Sequence, residues 1–545
     1  MNSNNKKNGS SRVLIHVDKR SNWRKVLHND STLFVTDNQI IGDSFCWDTV
    51  ANESQFLSII RKLVSPFSLI IETPLAVYAS TDLFRNFPLI FSHEGLIFSL
   101  TNNAERLLET MSDRFVNMEG VREFLTVGHT IGDKTLIRSV YSLGPGEYVV
   151  FDKASNSYSV GRYCSFLSHS KALSTKNNAN AEIQALALDC VSELLDQNHG
   201  RRIVVPLRQN RSDLILLQLL AQKKCQSVTA VTGFKKTHGW GRQLNAFSQH
   251  LGIPIIFIRY TRTEARKMFF TEQRKKYFRF ASNTISLPEY SDFQLINYLL
   301  QSKRLESDFL IADGSASVFD LGYLTEFRNL SEYAQVTENV NMVQRYFNLW
   351  PEFLQKRRNS VEPFNHLESW SGIEDELAAS QCCVNEWEWR ELLPKKLGNL
   401  RRLYEFFQVS HELPFLSFKA LKYIQGLASQ PTDSVIGNSV DHTNVWKELA
   451  ALRAGRFARC SLSDRFLTFS ERRRAYDYLS YYFPDNANLS IFGRDYFLRN
   501  YKKVQHNREA SFIARHFLDE MNIFGHVQDN LPGIIKNRLN ASAQG

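Results

Sequence analysis

The segment from Arg201 to Leu220, RRIVVPLRQNRSDLILLQLL, constrains the fold of this chain more than any other stretch. The β-branched run Ile203–Val205 is typical of a buried parallel strand, and the apolar spacing from Leu214 to Leu220 predicts a helix directly after it. A strand, a polar turn and a helix N-terminus form a natural phosphate cradle, because the helix leaves unpaired N–H groups and partial positive charge there. Such a cradle uses glycines. The turn at 208–211 has none.

The same alternation of strand and helix continues on both sides of this segment. The helical pattern that begins at Glu182 precedes it, and the strands Val228–Val231 and Ile255–Ile258 follow, separated by the helix Leu244–Leu251. Strands that alternate with helices of this length predict a parallel sheet with helices on both faces. We therefore expect an α/β domain over residues 181–330.

The first part of the chain has a different pattern, rich in short β-branched and alternating segments. The candidate strands are Val13–Val17, Leu33–Thr36, Ser68–Ile71, Ala76–Ser80, Leu89–Ser92, Leu96–Leu100 and Tyr148–Phe151. These predict an α+β domain over residues 12–167, after a disordered tail at 1–11. A polar linker at 168–180 separates it from the α/β domain, and residues 331–545 are predicted to be mainly helical.

Composition narrows the class of protein. A chain of 545 residues with 43% hydrophobic residues is large enough for two or more cores. It has no apolar run of 18 residues and a polar N-terminus, so we expect a cytoplasmic protein without a membrane segment. Its seven cysteines include no CxxC pair, which favours reduced thiols. The net charge is +10, but no known reader motif accompanies it, so nucleic-acid binding is not expected.

Several motifs, taken in order, resemble the asparagine synthetase family over most of residues 12–420. In the first half these are Thr81–Leu89, Phe124–Leu125 with Gly128, Asp133–Leu136 and Leu143–Asp152. In the second half they are Gly252–Ile258, Ser286–Pro288, Leu403–Phe407 and Glu412–Leu416, and the earlier two of these are similar to the branch linked to surface-polysaccharide biosynthesis. The resemblance implies an N-terminal-nucleophile (Ntn-hydrolase-like) glutaminase-type domain followed by an ATP-pyrophosphatase (HUP-like) synthetase domain with a helical C-terminal part.

The residue that would hydrolyse glutamine does not match this family. The family's reaction uses a cysteine directly after the initiator methionine, whose freed amino group is the base for its own thiol. Position 2 here is Asn2, and the first cysteine is Cys46, which lies between Phe45 and Trp47 and which we interpret as a core residue. We therefore expect a truncated glutaminase-like domain without hydrolysis, and we assign no catalytic residue.

The nucleotide-binding positions differ as well. Where the family has Ser-Gly-Gly-x-Asp-Ser, this chain has Arg208, Gln209, Asn210, Arg211, Ser212 and Asp213. Arg208 and Arg211 could replace the lost backbone donors with charge-assisted hydrogen bonds, but we favour a solvated loop. A second loop, at Gly314 and Ser315, ends in Ser317 where the resemblance implies an acidic Mg²⁺ ligand, although Asp313 and Asp320 flank it.

These departures predict a pseudoenzyme with a binding or scaffolding role, with no metal site and no cofactor. The alternative is a divergent amide ligase that uses ammonia, ATP and Mg²⁺ on an unknown carboxylate, with Arg208, Arg211 and either Asp313 or Asp320 rebuilding the phosphate site. A third hypothesis is anion or nucleic-acid binding by the basic region after Leu330. An anionic ligand and a homodimer are left open as partners.

Overall fold

In the computed structural model, the structure describes residues 11–36, 47–63, 66–112, 114–115, 117, 119–120, 123–124, 129–164, 179–198, 200–208, 211–234, 240–259, 261, 264, 267–268, 271–288, 290–302, 304–305, 308–320 and 386–426. Residues 1–10 of the predicted tail at 1–11, Cys46, most of the predicted linker, Gln209 and Asn210 lie outside these residues, as do 321–385 and everything after 426.

The N-terminal half folds into two packed sheets. Its strands are β1 (Arg12–His16), β2 (Arg24–His28), β3 (Ser31–Val35), β4 (Ser68–Glu72), β5 (Ala76–Thr81), β6 (Ile90–Glu94), β7 (Ile97–Thr101), β8 (Val140–Ser142), β9 (Glu147–Asp152) and β10 (Ser157–Arg162). One sheet has the order β1-β7-β6-β8 and the other β10-β9-β5-β4-β3-β2. Every predicted strand of this half is confirmed, and most strand ends lie within one residue of the predicted position. Strands β2, β8 and β10 were not predicted.

Alternating side chains build the layers of this half. Phe91 and Phe98 from the four-stranded sheet pack against Ile70, Val77 and Phe151 from the other sheet, because residues two apart share a face. The opposite face of the six-stranded sheet is covered by helix α1 (Glu53–Ile60). Helix α2 (Ala104–Thr110) packs on the outer side of β6 and β7. The result is the α+β layering expected for residues 12–167.

The second half contains one sheet of parallel strands with helices on both faces. The strands are β11 (Arg202–Pro206), β12 (Val228–Phe234), β13 (Ile255–Arg259), β14 (Phe309–Ala312) and β15 (His411–Glu412). The helices are α3 (Ala179–Asn198), α4 (Arg211–Gln222), α5 (Trp240–Leu251), α6 (Glu272–Ser282), α7 (Tyr290–Gln301), α8 (Leu393–Phe407) and α9 (Phe418–Gly426). A π-helical segment, Glu388–Leu392, leads into α8. The parallel α/β sheet is confirmed, and α3 begins two residues inside the predicted linker.

The strand order of this sheet creates a crevice. Its order is β13-β12-β11-β14-β15, so the chain moves outward from β11 to β13 and then returns to the other side of β11 with β14. Connections therefore leave the carboxyl ends of β11 and β14 in opposite directions. In open α/β sheets such a switch point is where ligands bind. The glycine-free turn after β11 lies at this point.

The two halves pack through α8 and the segment before it. The indole Nε1–H of Trp389 donates to the carbonyl of Leu83 at 2.7 Å, and Arg401 Nε donates to Asn86 Oδ1 at 2.8 Å. Leu83 and Phe84 belong to the same buried cluster as the apolar side chains of α8. The N-terminal half thus shares a core with the α/β half. No helix among the described residues is long and apolar enough to cross a membrane.

Candidate functional site

Arg208 fills the switch point of the parallel sheet. It follows β11 directly, and its guanidinium donates to both carboxylate oxygens of Asp313, with distances of 3.0 Å to Oδ1 and 2.9 Å to Oδ2. Its Nε donates to Asp292 Oδ1 at 2.6 Å. Asp313 follows β14 and Asp292 lies in the first turn of α7, so one side chain joins three elements of the fold. Bidentate pairing of this kind fixes the position of the guanidinium.

The Asp313 carboxylate is fully engaged by donors from within the chain. Its Oδ1 accepts from Arg208 and from the backbone N–H of Ser315 at 2.9 Å. Its Oδ2 accepts from Arg208 and from the hydroxyl of Tyr404 on α8. An ionised carboxylate offers about four lone-pair sites. All four are therefore occupied.

Electrostatics keep this carboxylate ionised. Burial alone would raise the pKa of Asp313, but the Arg208 guanidinium and the Tyr404 hydroxyl hold that pKa below its ordinary value. Burial and the adjacent Asp313 charge raise the pKa of the Tyr404 hydroxyl well above 10, so it stays a donor. The site is an ion pair with a neutral tyrosine donor.

Asp213 lies beside this pair in a different protonation state. It lies in the first turn of α4, and its Oδ2 accepts the backbone N–H of Arg208 at 2.9 Å. Burial, which the Arg208 charge opposes, raises the pKa of Asp213 to about 8. At neutral pH the protonated carboxyl is therefore the major form of Asp213, whereas Asp313 is ionised.

A close backbone approach joins the two loops at the switch point. A Cβ atom on Gly314 would lie 2.8 Å from the carbonyl oxygen of Ser212, so only glycine fits there. Lys396 Nζ on α8 donates to the carbonyl of Ser315 at 2.9 Å. The loop after β14 is therefore tied both to the start of α4 and to α8.

The structure brings together the site positions predicted from sequence that it describes. Arg208, Ser212, Asp213, Gly314 and Ser315 all lie at the carboxyl ends of β11 and β14. Gln209 and Asn210 lie outside the described residues, as do the side chains of Arg211 and Asp320. Ser317 is buried, and its Oγ accepts the backbone N–H of Phe319 at 3.1 Å.

One prediction about this loop is wrong for Arg208. We favoured a solvated turn, but the Arg208 side chain is only 18% exposed and is held by Asp292 and Asp313. The burial arises because two carboxylates from later elements converge on the guanidinium. Arg208 donates its hydrogen bonds to aspartates of the same chain. It therefore does not have the role of our alternative either, in which Arg208 would donate to a bound phosphate.

Sequence reasoning missed Asp292 and Tyr404, two of the residues that complete the cluster. His411, in β15, lies beside this cluster, and its ring centroid is 5.0 Å from that of Tyr404. Burial lowers the pKa of His411 to about 3, so it is a neutral packing group at physiological pH. Nothing in the local sequence distinguishes Asp292 from any acid in the first turn of a helix.

The site does not fit ATP and Mg²⁺, the groups that the resemblance implies. The Asp313 carboxylate has no lone pair left for a metal, and the Arg208 guanidinium is already bound by Asp292 and Asp313 rather than free to bind a phosphate. Among the described residues, no group of three or more His, Cys, Asp or Glu side chains is arranged to hold a metal ion.

Comparison with known proteins identifies no family. No family model matches the chain, and no curated protein matches it. Two solved structures to which it is similar are glutamine phosphoribosylpyrophosphate amidotransferase from B. subtilis, complexed with ADP and GMP, and a structure described as the allosteric regulatory enzyme of purine biosynthesis. The first is 10% identical with a TM-score of 0.17, and 54% of this chain and 63% of that one are covered.

The second match is equally distant, at 11% identity and a TM-score of 0.16, covering 57% of this chain and 58% of that one. The chain thus spans less than two thirds of the length of either structure. At these TM-scores neither match carries an argument about fold or function. The asparagine synthetase resemblance therefore stays a hypothesis that rests on the sequence motifs.

Proposed function

We propose that this chain is an asparagine-synthetase-like pseudoenzyme, which neither hydrolyses glutamine nor forms amides with ATP, and which acts by binding or scaffolding. The observation that carries the proposal is the saturated Asp313 carboxylate, paired with Arg208 at the switch point. A phosphate or a metal could enter only after this buried pair has been separated, which leaves two uncompensated charges.

The test is a direct search for nucleotide binding and turnover. Purified protein is titrated with ATP and MgCl₂ by calorimetry, and pyrophosphate and AMP are measured in the presence of ammonia and a panel of carboxylates. We expect neither heat of binding at micromolar ATP nor product. Micromolar binding together with AMP formation would exclude the proposal.

If product does form, two arginine variants show whether it comes from a rebuilt active site in this chain or from a contaminating enzyme. A ligase that uses Arg208 loses turnover in Arg208→Ala and keeps it in Arg201→Ala. Arg201 is a matched control because it lies just before β11, where its Nε donates to Asp308 Oδ1 at 2.8 Å. Arg201 and Asp308 thus form an arginine–aspartate pair at the opposite ends of the same two strands. Equal turnover in both variants points to a contaminating activity.

A further inference from the structure

A buried arginine, Arg85, lies at the junction of the two halves and forms no ion pair with a carboxylate of the described residues. Arg85 is 4% exposed and lies between β5 and β6. Its Nε donates to the carbonyl of Leu143 and its NH2 group donates to Ser142 Oγ, both at 2.7 Å. No carboxylate among the described residues forms an ion pair with it, and its NH1 group donates to none of their atoms. A buried charge without a counter-charge is costly.

The backbone of Arg85 is also unusual. Its φ is 54°, in the left-handed region that non-glycine residues rarely adopt, and its N–H donates to the carbonyl of Asp82 at 3.1 Å. Residues kept in this region are concentrated at functional sites. The bend directs an arginine into the junction, where glycine or asparagine would be expected.

The NH1 group points at a glycine in the middle of α8. A Cβ atom on Gly398 would meet only one atom within 4 Å beyond its own helix and chain neighbours, which is Arg85 NH1 at 4.0 Å. Glycine is unfavourable in a helix interior relative to alanine. Packing does not demand it here, because a methyl group would fit. Among the described residues, the space in front of Gly398 therefore has room for a methyl-sized group and is bounded by the Arg85 guanidinium.

The charged side chains nearest this space are paired with one another rather than with Arg85. Along the same face of α8, Lys395 is paired with Glu391 and Arg402 is paired with Glu405. Both pairs are buried against the N-terminal half. Burial and the nearby Arg402 charge lower the pKa of Arg85 to about 10, which leaves it protonated at physiological pH. Glu147, the next carboxylate, is itself paired with Arg162 at 2.7 Å.

We propose that Arg85 and Gly398 form an internal binding site for a small monovalent anion, of halide or simple carboxylate type, at the junction of the two halves. The anion supplies the missing counter-charge to the Arg85 guanidinium. Gly398 leaves the room for it, next to the Arg85 NH1 group. The site is separate from the switch point and does not depend on the proposed function.

The experiment compares anions at constant ionic strength. The protein is exchanged into sodium gluconate, whose anion is too bulky for the site, and chloride or formate is then substituted stepwise while the melting temperature is followed. We expect a saturable rise in melting temperature with chloride, formate or both. The broadening of the ³⁵Cl NMR line by the protein measures chloride directly, and its reversal by formate shows whether a carboxylate competes for the site.

Two variants assign the effect to this site. Arg85→Gln removes the charge, and we expect it to raise the anion concentration for half-saturation by about tenfold or more. Gly398→Ala keeps Arg85 but fills the space with a methyl group. It should melt above the wild type in gluconate, through its better helix propensity, and lose most of the response to chloride and formate. Arg106→Gln, which changes an exposed arginine paired with Glu109, is the control that keeps the full response.

The outcomes are decisive in each direction. A wild-type melting temperature that does not depend on the anion overturns the proposal. So does an unchanged anion response in Gly398→Ala, which serves as the test even if Arg85→Gln fails to fold. Loss of the response in Gly398→Ala, with the response kept in Arg106→Gln, supports it.

Discussion

Trp389 and Leu83 are joined by a hydrogen bond from the indole Nε1–H to the backbone carbonyl at 2.7 Å, although 306 residues separate them in sequence. Both residues are buried, and the bond crosses the junction between the two halves. Because the donor comes from the segment leading into α8 and the acceptor from the N-terminal half, this contact reports on whether the halves are docked.

Replacing Trp389 with Phe should therefore destabilise the whole molecule. The change leaves the Leu83 carbonyl buried without its donor, which costs on the order of 1–3 kcal/mol of the free energy of unfolding. Urea denaturation followed by circular dichroism measures it. Trp23→Phe is the control, because the Trp23 Nε1–H is buried without a hydrogen-bond partner among the described residues and its removal breaks no such bond. Equal losses in the two variants would contradict the importance of the cross-junction bond.

The two arginine–aspartate pairs at the ends of β11 and β14 should differ greatly in their contribution to stability. Arg208→Ala leaves the buried Asp313 carboxylate without its cation, which costs on the order of 3–5 kcal/mol. Arg201→Ala breaks a pair whose side chains are 33% and 75% exposed, so a loss of about 0–1 kcal/mol is expected. Chemical denaturation of both variants at pH 7 compares their losses in the free energy of unfolding. Similar losses would show that the pair at the switch point is solvated.

Asp213 predicts that stability falls as the pH rises. Its folded-state pKa of about 8 exceeds the ordinary value of 3.8, so between those values the folded chain holds a proton that the unfolded chain has released. Because of this retained proton, each rise of one pH unit in that range lowers the free energy of unfolding by up to about 1.4 kcal/mol. Asp213→Asn should remove that slope, so the stability of the variant relative to the wild type rises from pH 5 to pH 8. A difference that does not change with pH would show that Asp213 titrates normally.

His129 makes the folded state less stable as the pH falls, which is the opposite pH dependence to that of Asp213. Burial, assisted by the Lys395 charge, lowers its pKa to about 4, below the ordinary value of 6.5. Between these values the unfolded chain binds a proton that the folded chain excludes, so stability is present above pH 6.5 and is lost as the pH falls to about 4. Over the range from pH 6.5 to 4.5 the loss is about 2 kcal/mol for this residue. His129→Asn should lose correspondingly less over that range in urea denaturation, whereas parallel curves would contradict the shifted pKa.

Gly314→Ala tests the close approach of the two loops. The added methyl group would lie 2.8 Å from the Ser212 carbonyl oxygen, which is backbone and cannot rotate away. We expect a loss of about 1–3 kcal/mol of the free energy of unfolding, the usual cost of overpacking. Gly398→Ala, whose methyl group meets only the Arg85 side chain at 4.0 Å, is the comparison and should not be destabilised. A small loss for Gly314→Ala would mean that the loop after β14 can move.

The sequence predicts the strands of this fold well and the site poorly, for a physical reason. Ile203–Val205 and Ile255–Ile258 are identified by local β-branched runs, because burial on both faces of a sheet imposes that composition. The burial of Arg208 depends instead on Asp292 and Asp313, which are 84 and 105 residues away. No local pattern contains that information, so Arg208, which a polar and glycine-free stretch of sequence places in a solvated turn, is part of a buried cluster instead.

A short edge strand and a loop contact also could not be predicted from the local sequence. β15 has only two residues, His411 and Glu412, and exists because they pair with Ile311 and Ala312. Its own sequence has no strand pattern. Gly314 could be recognised as a turn residue, but its contact with Ser212 could not, since it depends on how α4 and β14 are placed in space.

Helix α8 covers both the N-terminal half and the switch point, and this has a consequence for how the chain is made. The apolar surface at Leu83 and Phe84 leaves the ribosome long before the helix that buries it. Roughly 230 residues lie between the end of the N-terminal half and α8, which corresponds to about 10–50 s of synthesis at 5–20 residues per second. During that interval the nascent sandwich presents an uncovered hydrophobic patch. The chain therefore has a built-in period of exposure to chaperones and aggregation, which ends only when α8 has been synthesised.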